Sequence, residues 1–425
     1  MTEICCWIDH ALTAARPQAI AALVRYFRDL DTAEEAFQEA CLRALKTWPD
    51  KGPPRDPAAW LIFVGRNAAL DGIRRQARTN ELPAEAQLSD LDDAEADMAQ
   101  RLDDSHFRDD ILRLLFVCCD PVLPVNQQIA LALRIVSGLS VPEIARAFLS
   151  GESAIEQRIT RAKRRIAQSQ VPFAPPGPIE RAERLSTVAT MLYLVFNEGY
   201  SATGGTAHIR AALCEEAIRL ARLLLTLFPA EPEIMGLMAL LLLQHARTPA
   251  RLDADGAIVL LDDQNRTLWD AKMIAEGLAL VEKAVRNRQP GPYQAQAAIA
   301  AMHARAKRAE DTNWPQIATL YEALEQLQPT PVVALNRAVA VSKVHGPAEA
   351  LDMLGPLETA LVNYFYFHGV KGALLMQLGR SGEAKIAFDR AIARANTAAE
   401  AAHIRLQIDR LMKDSGADGA TQTNR

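Results

Sequence analysis

Apolar residues recur with a helical period along almost the whole chain, and alternating strand patterns are nearly absent. Within 139–166 four apolar residues recur at spacings of four, three and four, namely Ile155, Ile159, Ala162 and Ile166. This spacing places them on one face of a helix. Ser140 and Glu143 form the S-x-x-E capping-box pattern ahead of an earlier helix. The sequence therefore predicts an all-α protein containing a helix, a tight turn at 150–153 and a second helix.

The face of the second helix opposite these apolar residues is polar and basic. With its flanks it carries Ser153, Gln157, Thr160, Arg161, Lys163, Arg164 and Arg165. A helix-turn-helix places such a helix in the DNA major groove, with its N-terminal residues toward base edges and its basic residues toward phosphates. The pattern therefore predicts DNA binding. The alternative is an ordinary helix pair with a solvated basic face.

An earlier helix over 32–46 is predicted to have an acidic outer face. Thr32 and Glu35 form a second capping-box pattern. The residues expected to face inward are Ala33, Ala36, Phe37, Ala40, Cys41, Ala44 and Leu45. Those expected to face outward are Glu34, Glu35, Gln38, Glu39, Arg43 and Lys46.

The helix that follows Asp56 combines an aromatic residue with arginines on one face. Asp56 is expected to cap this helix and Pro57 to occupy its first position. The face opposite the core holds Trp60, Val64, Asn67, Asp71, Arg74, Arg75 and Arg78. Such a face suits a nucleic-acid strand, through base stacking and phosphate contacts. The alternative places the tryptophan in the core and the arginines in water.

Composition changes divide the chain into six predicted segments. They are a helical block (1–78), an acidic linker (79–104), the helix-turn-helix block (105–170), a proline-rich hinge (171–179), a large helical domain (180–412) and a disordered tail (413–425). In the large domain the pair Glu349-Ala350 recurs as Glu383-Ala384 after 34 residues, the tetratricopeptide-repeat period. The sequence predicts a tetratricopeptide-like solenoid with a partner-binding concave face. The alternative is a solenoid that only stabilises the chain.

Charge and composition restrict the function. The net charge of −5 argues against general coating of nucleic acid, so contacts must come from local basic faces. The six cysteines lack C-x-x-C spacing, which fits reduced thiols in a cytoplasmic protein. We find no signal-peptide pattern and no apolar run of membrane-spanning length. No catalytic triad, carboxylate pair or metal-ligand cluster is evident, so we expect no enzyme activity, catalytic residue, metal or cofactor.

In their order, these features resemble the sigma-70 family of bacterial RNA polymerase initiation factors. The likeness is to the small extracytoplasmic-function kind, in a subgroup with a C-terminal tetratricopeptide-like extension. It rests on DTAEEAFQEACLRAL, PAAWLIFVGRNAALDGIRR, LPVNQQIALALRIVSGLSVPEIARAFL, QRITRAKRRI, LVFNEGYSATGG and PVVALNRAVAV. Asp120 departs from the pattern, because histidine is expected there.

The resemblance implies a role for each block. Glu34, Glu35, Gln38 and Glu39 would contact the clamp helices of core RNA polymerase. Trp60, Asn67, Asp71, Arg74 and Arg75, with the preceding loop, would read and melt the −10 element of promoter DNA. The helix from Ser153 would read the −35 element, and the acidic linker would enter basic channels of the polymerase. The extension would dock on the sigma domains or on a protein partner.

Two alternatives remain at this point. The polar segment at Asn197, Glu198, Gly199 and Tyr200 is a candidate regulatory site, or only the end of a helix followed by a loop. The whole chain could also be a helix-turn-helix activator with a repeat-type sensor domain, binding DNA alone. The first block favours the sigma interpretation, because an activator has no need of its acidic face and aromatic-basic helix.

Overall fold

The protein folds into two compact units, Met1–Val195 and Phe196–Arg425. The computed structural model describes residues 2–52, 54–77, 104–148, 150–169, 178–200, 207–253, 258–395 and 400–409. In these ranges all regular secondary structure is helical, apart from one isolated antiparallel bridge between Leu252 and Ile258. The prediction of an all-α protein is confirmed. No helix in the described ranges is both long enough and apolar enough to cross a membrane.

Among the described residues, eight helices begin in the first unit. They are α1 (Thr2–Phe27), α2 (Leu30–Lys51), α3 (Pro57–Ala77), α4 (Asp104–Cys118), α5 (Val125–Ile135), α6 (Val141–Ala147), α7 (Glu152–Gln168) and α8 (Pro178–Tyr200). The boundary between the units lies inside α8, whereas the sequence analysis put a hinge at 171–179. Most of that stretch, most of the predicted acidic linker and the whole predicted tail lie outside the described residues.

Local capping explains where α2 and α3 begin. Asp56 accepts hydrogen bonds from the backbone N–H groups of Ala58 (2.9 Å) and Ala59 (3.1 Å), as predicted for a cap. The prediction that Thr32 caps α2 is wrong. Asp29 is the cap, and it accepts from the backbone N–H of Thr32 at 2.7 Å. Because Asp29 accepts from the N–H of Thr32, Thr32 already lies within the first turn, and the helix starts at Leu30.

Helix α1 organises the first unit. It packs against α2, α3 and α4, while α7 packs against α5 and α6. The α2–α3 contact is close, since a Cβ at Gly65 would lie 2.8 Å from the backbone oxygen of Ala36. Residues 2–77 and 104–168 therefore belong to one compact unit.

The second unit is a succession of packed helices. They are α9 (Ala207–Leu227), α10 (Pro232–His245), α11 (Ala271–Arg286), α12 (Pro292–Arg305), α13 (Trp314–Leu327), α14 (Pro331–His345), α15 (Pro347–Leu354), α16 (Phe365–Gln377) and α17 (Ser381–Ile392). Residues 400–409 form a further helix. Short 3-10 helices occur at Thr248–Ala250, Leu261–Asp263, Arg266–Leu268, Ala309–Asp311 and Gly355–Leu357. Helices adjacent in sequence pack on one another, for example α13 on α14 and α16 on α17.

The 34-residue recurrence coincides with equivalent core positions. Ala350 and Ala384 are both fully buried, each in its own apolar cluster. A small residue at this position lets neighbouring helices approach. The packing is compatible with paired helical repeats, and the assignment to the tetratricopeptide class stays a prediction.

Candidate nucleic-acid interface

The helix-turn-helix forms as the sequence predicts. The Ser140 side chain accepts from the backbone N–H of Glu143, and the Glu143 carboxylate accepts from the Ser140 backbone at 2.7 Å, which completes the capping box of α6. Hydrogen bonding to Ser140 lowers the pKa of Glu143. The four predicted apolar residues of α7 are all buried. Helix α7 is therefore held by one face, and the other is free for a ligand.

The predicted DNA-reading face of α7 is exposed with one exception. The exposed members are Ser153, Gln157, Thr160, Arg161, Arg164 and Arg165. The side chain of Lys163 is only 16% exposed, because it pairs with Asp31 and Glu34 of α2. Burial lowers the pKa of Lys163, but the hydrogen bond that Lys163 donates to Asp31 and the charge of Glu34 outweigh this effect, and the pKa of Lys163 is raised overall. Lys163 is therefore charged but occupied by carboxylates.

The predicted strand-binding face of α3 is only partly open. Trp60 is half-buried and meets Trp48 edge-on, with ring centroids 5.3 Å apart. Trp48 in turn stacks on Trp7 at 6.0 Å. Asn67 is half-buried. Val64, which the sequence analysis placed on this outer face, is buried, so that placement is wrong.

Three further residues of this face lie in α3, but their side chains are outside the described part of the structure. They are Asp71, Arg74 and Arg75. A neighbouring feature was missed by the sequence analysis: the Arg66 guanidinium lies over the ring of Tyr26, 4.6 Å from its centroid. Tyr26 is in α1 and Arg66 in α3, so no periodicity within one helix could reveal the pair.

The outer face of α2 differs from the prediction at two positions. Glu35 and Gln38 are exposed and Glu39 is half-buried, whereas Glu34 is 6% exposed. The expectation that Glu34 faces solvent is wrong. Leu45, expected to face inward, is 53% exposed beside Leu42 at 55%. Helix α2 therefore presents two leucines beside carboxylate and amide groups.

Glu34 is buried because three cations surround it. Its carboxylate forms ion pairs with Arg134 (2.8 Å), Lys163 (3.0 Å) and Arg16 (3.8 Å). Lys163 also binds Asp31. We call Glu34, Asp31, Arg16, Arg134 and Lys163 the Glu34 cluster. A buried carboxylate is tolerable only with such pairing, so the cluster ties α1 and α2 to α5 and α7.

Asp120, the departure from the family pattern, fits its surroundings. Its side chain accepts from the backbone N–H of Val122 at 2.9 Å and pairs with Arg184 of α8 at 3.4 Å. Its backbone oxygen accepts from the Gln128 side chain at 3.1 Å. The carboxylate therefore serves both a turn and an ion pair within the first unit.

The candidate regulatory segment is helical, not a loop. Asn197, Glu198, Gly199 and Tyr200 form the last turn of α8, and 201–206 lie outside the described residues. The Tyr200 ring stacks on the Phe196 ring, with centroids 5.4 Å apart. The Arg251 guanidinium also lies over the Tyr200 ring, 3.6 Å from its centroid. The Tyr200 hydroxyl accepts from Arg247 at 2.9 Å, and the Tyr200 backbone oxygen accepts from Arg251 at 2.6 Å. Two arginines therefore fix this helix end.

Three segments match known protein families. Residues 12–79 match sigma-70 region 2, and residues 117–166 match sigma-70 region 4. Residues 184–285 match a family of unknown function, DUF6596. The first two segments contain most of α1–α3 and α5–α7, the helices that carry the interface described above.

Individual relatives agree with these matches. An uncharacterized protein of Rhizobium meliloti (strain 1021) is 67% identical over 405 residues, covering 95% of this chain and 96% of that protein. SigI of Mycobacterium tuberculosis, a probable ECF RNA polymerase sigma factor, is 26% identical over 164 residues, or 39% of this chain and 56% of SigI. BldN of Streptomyces coelicolor, an ECF RNA polymerase sigma factor, is 31% identical over 140 residues, or 32% of this chain and 50% of BldN. The chain thus belongs to the same family as the Rhizobium meliloti protein, and its first unit carries segments similar to sigma-70 regions 2 and 4, followed by a helical C-terminal unit.

Proposed function

We propose that this chain directs RNA polymerase to promoters with two elements. In this proposal α7 reads the −35 element, α3 reads and melts the −10 element, and α2 docks on core polymerase. The observation that carries it is the two-sided character of α7, whose apolar face is buried while Gln157, Arg161 and Arg164 are exposed. That division matches a helix held by its scaffold and offered to the major groove.

The outer face of α2 supports docking on a protein. Exposed leucines beside Glu35 and Gln38 give an apolar centre with a polar rim, the usual composition of a protein interface. A helix-turn-helix activator that acts on DNA alone would have no need of this face. We therefore infer that Leu42 and Leu45 contact the polymerase together with Glu35, Gln38 and Glu39.

We also propose that the helical C-terminal unit regulates initiation through the last turn of α8. This proposal is supported by the contacts of Arg247 and Arg251, which hold Tyr200 in place. A helix end held by two arginines has a defined shape that a ligand or partner can recognise or disturb.

Run-off transcription tests the main proposal. The purified chain added to core polymerase should yield transcripts from DNA bearing both elements. Leu42→Asp should reduce the yield about tenfold or more, because a charge replaces an apolar interface contact. Val285→Asp is the matched control, since Val285 is a 60% exposed residue of the second unit. Specific DNA binding without polymerase, and no effect on initiation, would favour the activator alternative.

Substitutions in α7 distinguish contacts to bases from contacts to phosphates. Gln157→Ala or Arg161→Ala should lose about 1–3 kcal/mol of binding at one or two −35 positions. Arg164→Ala should weaken binding to all sequences alike and reduce the salt dependence, because it removes a phosphate contact. Affinities of the holoenzyme for a set of −35 variants measure both effects. Unchanged base preference in the Gln157 and Arg161 variants would show that another face reads DNA.

Promoter melting tests Trp60. Trp60→Ala should leave a folded, polymerase-bound chain that fails on duplex promoters and recovers on a template already melted at the −10 element. Half-burial against Trp48 should limit the loss of folding free energy to about 2 kcal/mol, below the cost for a fully buried aromatic residue. Trp48→Ala is the control: Trp48 is buried, so that variant should lose stability without rescue. An unfolded Trp60→Ala chain would make Trp60 a core residue.

The regulatory proposal is tested at Tyr200. Tyr200→Ala should change transcription activity while the helix-turn-helix keeps its affinity for DNA, because the end of α8 loses its arginine contacts. Glu198→Ala should give part of the change. Tyr200→Phe keeps the ring contacts and should stay closer to wild type. Wild-type activity and regulation of Tyr200→Ala in cells would remove the C-terminal unit from the regulatory account.

A further inference from the structure

We propose that the second unit binds a small oxyanion, the phosphate or carboxylate group of a ligand, through the guanidinium groups of Arg247 and Arg266. The inference rests on the regulatory role proposed above for the last turn of α8, and it names the class of ligand that acts there. All the residues that carry it belong to the second unit.

Arg247 lies just after α10 and reaches the end of α8. Its Nη2 donates to the Tyr200 hydroxyl at 2.9 Å and to the side-chain oxygen of Gln244. Its Nε is buried and has no hydrogen-bond partner within the described residues. The residue as a whole is half-buried, so its side chain is still in contact with solvent.

Arg266 faces the C-terminal end of α12. Its Nη1 donates to the backbone oxygens of His303 (2.8 Å) and Ala306 (2.7 Å), and its Nη2 donates to the Thr312 hydroxyl at 3.4 Å. Arg266 is also half-buried. Its guanidinium is therefore held in one place by neutral oxygens, with its charge not neutralised by them.

Arg247 and Arg266 lie close enough to act on the same imidazole. The pKa of His303 is lowered to about 4, because burial and the positive charges of Arg247 and Arg266 all disfavour its protonated form. Burial lowers the pKa of Arg266, the charge of Asp262 opposes this effect, and the charge of Arg247 adds to it. The two guanidinium groups therefore repel one another and keep His303 neutral.

Four buried nitrogen atoms around this imidazole have no hydrogen-bond partner in the described part of the chain. They are the Nε of Arg247, the Nε of Arg266, the Nε1 of Trp269 and the Nδ1 of His303. Trp269 is 6% exposed and His303 is 9% exposed, and the Arg266 guanidinium lies 5.0 Å from a ring centroid of Trp269. Unpartnered buried donors are costly and uncommon. Four in one region indicate a shared polar partner that is not part of the chain.

The acidic residues whose charges act on Arg266 are paired with other cations. The pairs are Asp262–Lys343 (2.8 Å), Asp311–Arg308 (3.1 Å) and Glu310–Arg308 (3.3 Å). Within the described residues, Arg247 and Arg266 donate only to neutral oxygens. The shared partner is therefore expected to be an anion, because a water molecule would leave the two positive charges facing one another.

Guanidinium groups select the geometry of this anion. Each one can donate two parallel hydrogen bonds to a phosphate or carboxylate group. Partial burial strengthens such bonds, because the local dielectric constant is lower than in water. Small rotations of the two half-buried side chains would direct their N–H groups to one oxyanion, and two positive charges match a dianion.

An anion bound to Arg247 would act on the end of α8. The Tyr200 hydroxyl accepts a hydrogen bond from the same Arg247 nitrogen that would turn toward the ligand. Arg251 also holds this turn, through the ring and the backbone oxygen of Tyr200. A ligand that binds more tightly to one arrangement of this turn shifts the population toward it.

Calorimetric titration of the full chain with inorganic phosphate, and separately with malonate, tests the site at constant ionic strength set by potassium chloride. At least one anion should bind saturably, with one site per chain. Arg247→Gln should weaken this binding about tenfold or more, because it removes a bidentate charged donor. Arg286→Gln makes the same charge change at an exposed position of α11 and should stay within about twofold of wild type.

The two titrations also identify the anion. Tighter binding of phosphate indicates a phosphorylated ligand, and tighter binding of malonate indicates a carboxylate ligand. Saturable binding of neither anion overturns the proposal, as does equal affinity of wild type and Arg247→Gln.

Thermal unfolding separates a ligand site from a purely structural role of Arg247. Phosphate should raise the Tm of wild type and of Arg286→Gln more than that of Arg247→Gln, since only a bound ligand stabilises the folded state. Arg247→Lys keeps the charge and a donor for Tyr200 but loses the planar fork, so it should fold and bind phosphate several-fold more weakly. Equal increases in Tm for all four chains would show that Arg247 serves the fold alone and would overturn the proposal.

Run-off transcription distinguishes failure of the site from failure of the proposed function. An anion that binds but changes initiation equally with wild type and with Arg247→Gln overturns the regulatory use of the site. A chain that initiates normally, responds to Tyr200→Ala and binds neither anion overturns the site and leaves the proposed function intact.

Discussion

The buried Glu34 carboxylate is the constraint on which the first unit depends. A charged group in the interior is costly unless it is paired, and the pairing groups come from α1, α5 and α7. Arg16 makes two stabilising contacts: it pairs with this carboxylate, and it donates hydrogen bonds to free backbone oxygens at the end of α5. One acidic side chain thereby fixes how the two sigma regions meet.

The same constraint explains why the polar face of α7, the helix proposed to read DNA, is not uniformly exposed. An amphipathic helix packed by one face normally leaves its polar face to solvent or ligand. In α7 this holds for Gln157, Arg161 and Arg164, while Lys163 is drawn to the carboxylates of α2. The exception lies at the edge of the polar face, where a side chain can reach either a neighbouring helix or a phosphate.

Local patterns in the sequence predicted much of the fold, because helix period and capping are local. The buried face of α7, the Ser140 capping box and the Asp56 cap all follow from residues within one or two turns. Glu34 and Leu45 were wrongly placed for the opposite reason. Polarity alone assigns a glutamate to solvent and a leucine to the core, and the cations that bury Glu34 come in part from positions about 100 and 129 residues away. Leu45 is exposed because the apolar stripe of α2 is narrower than its composition suggests.

The remaining differences have similar origins. The last turn of α8 extends through Tyr200 because arginines from beyond α10 hold it. The sequence could not show this, because a polar stretch that contains glycine predicts by itself the end of a helix. The boundary between the units falls within a continuous helix, where no proline or change in composition marks it. Long-range contacts thus decide the features that matter most for function.

The stability of a Glu34→Gln variant tests the account most directly. The account predicts that the free energy of unfolding of the first unit falls by about 3–5 kcal/mol, because three cations lose their shared buried anion. Glu35→Gln makes the same change at an exposed position of α2 and should leave this free energy within about 0.5 kcal/mol of wild type. Equal unfolding free energies for the two variants would contradict the account.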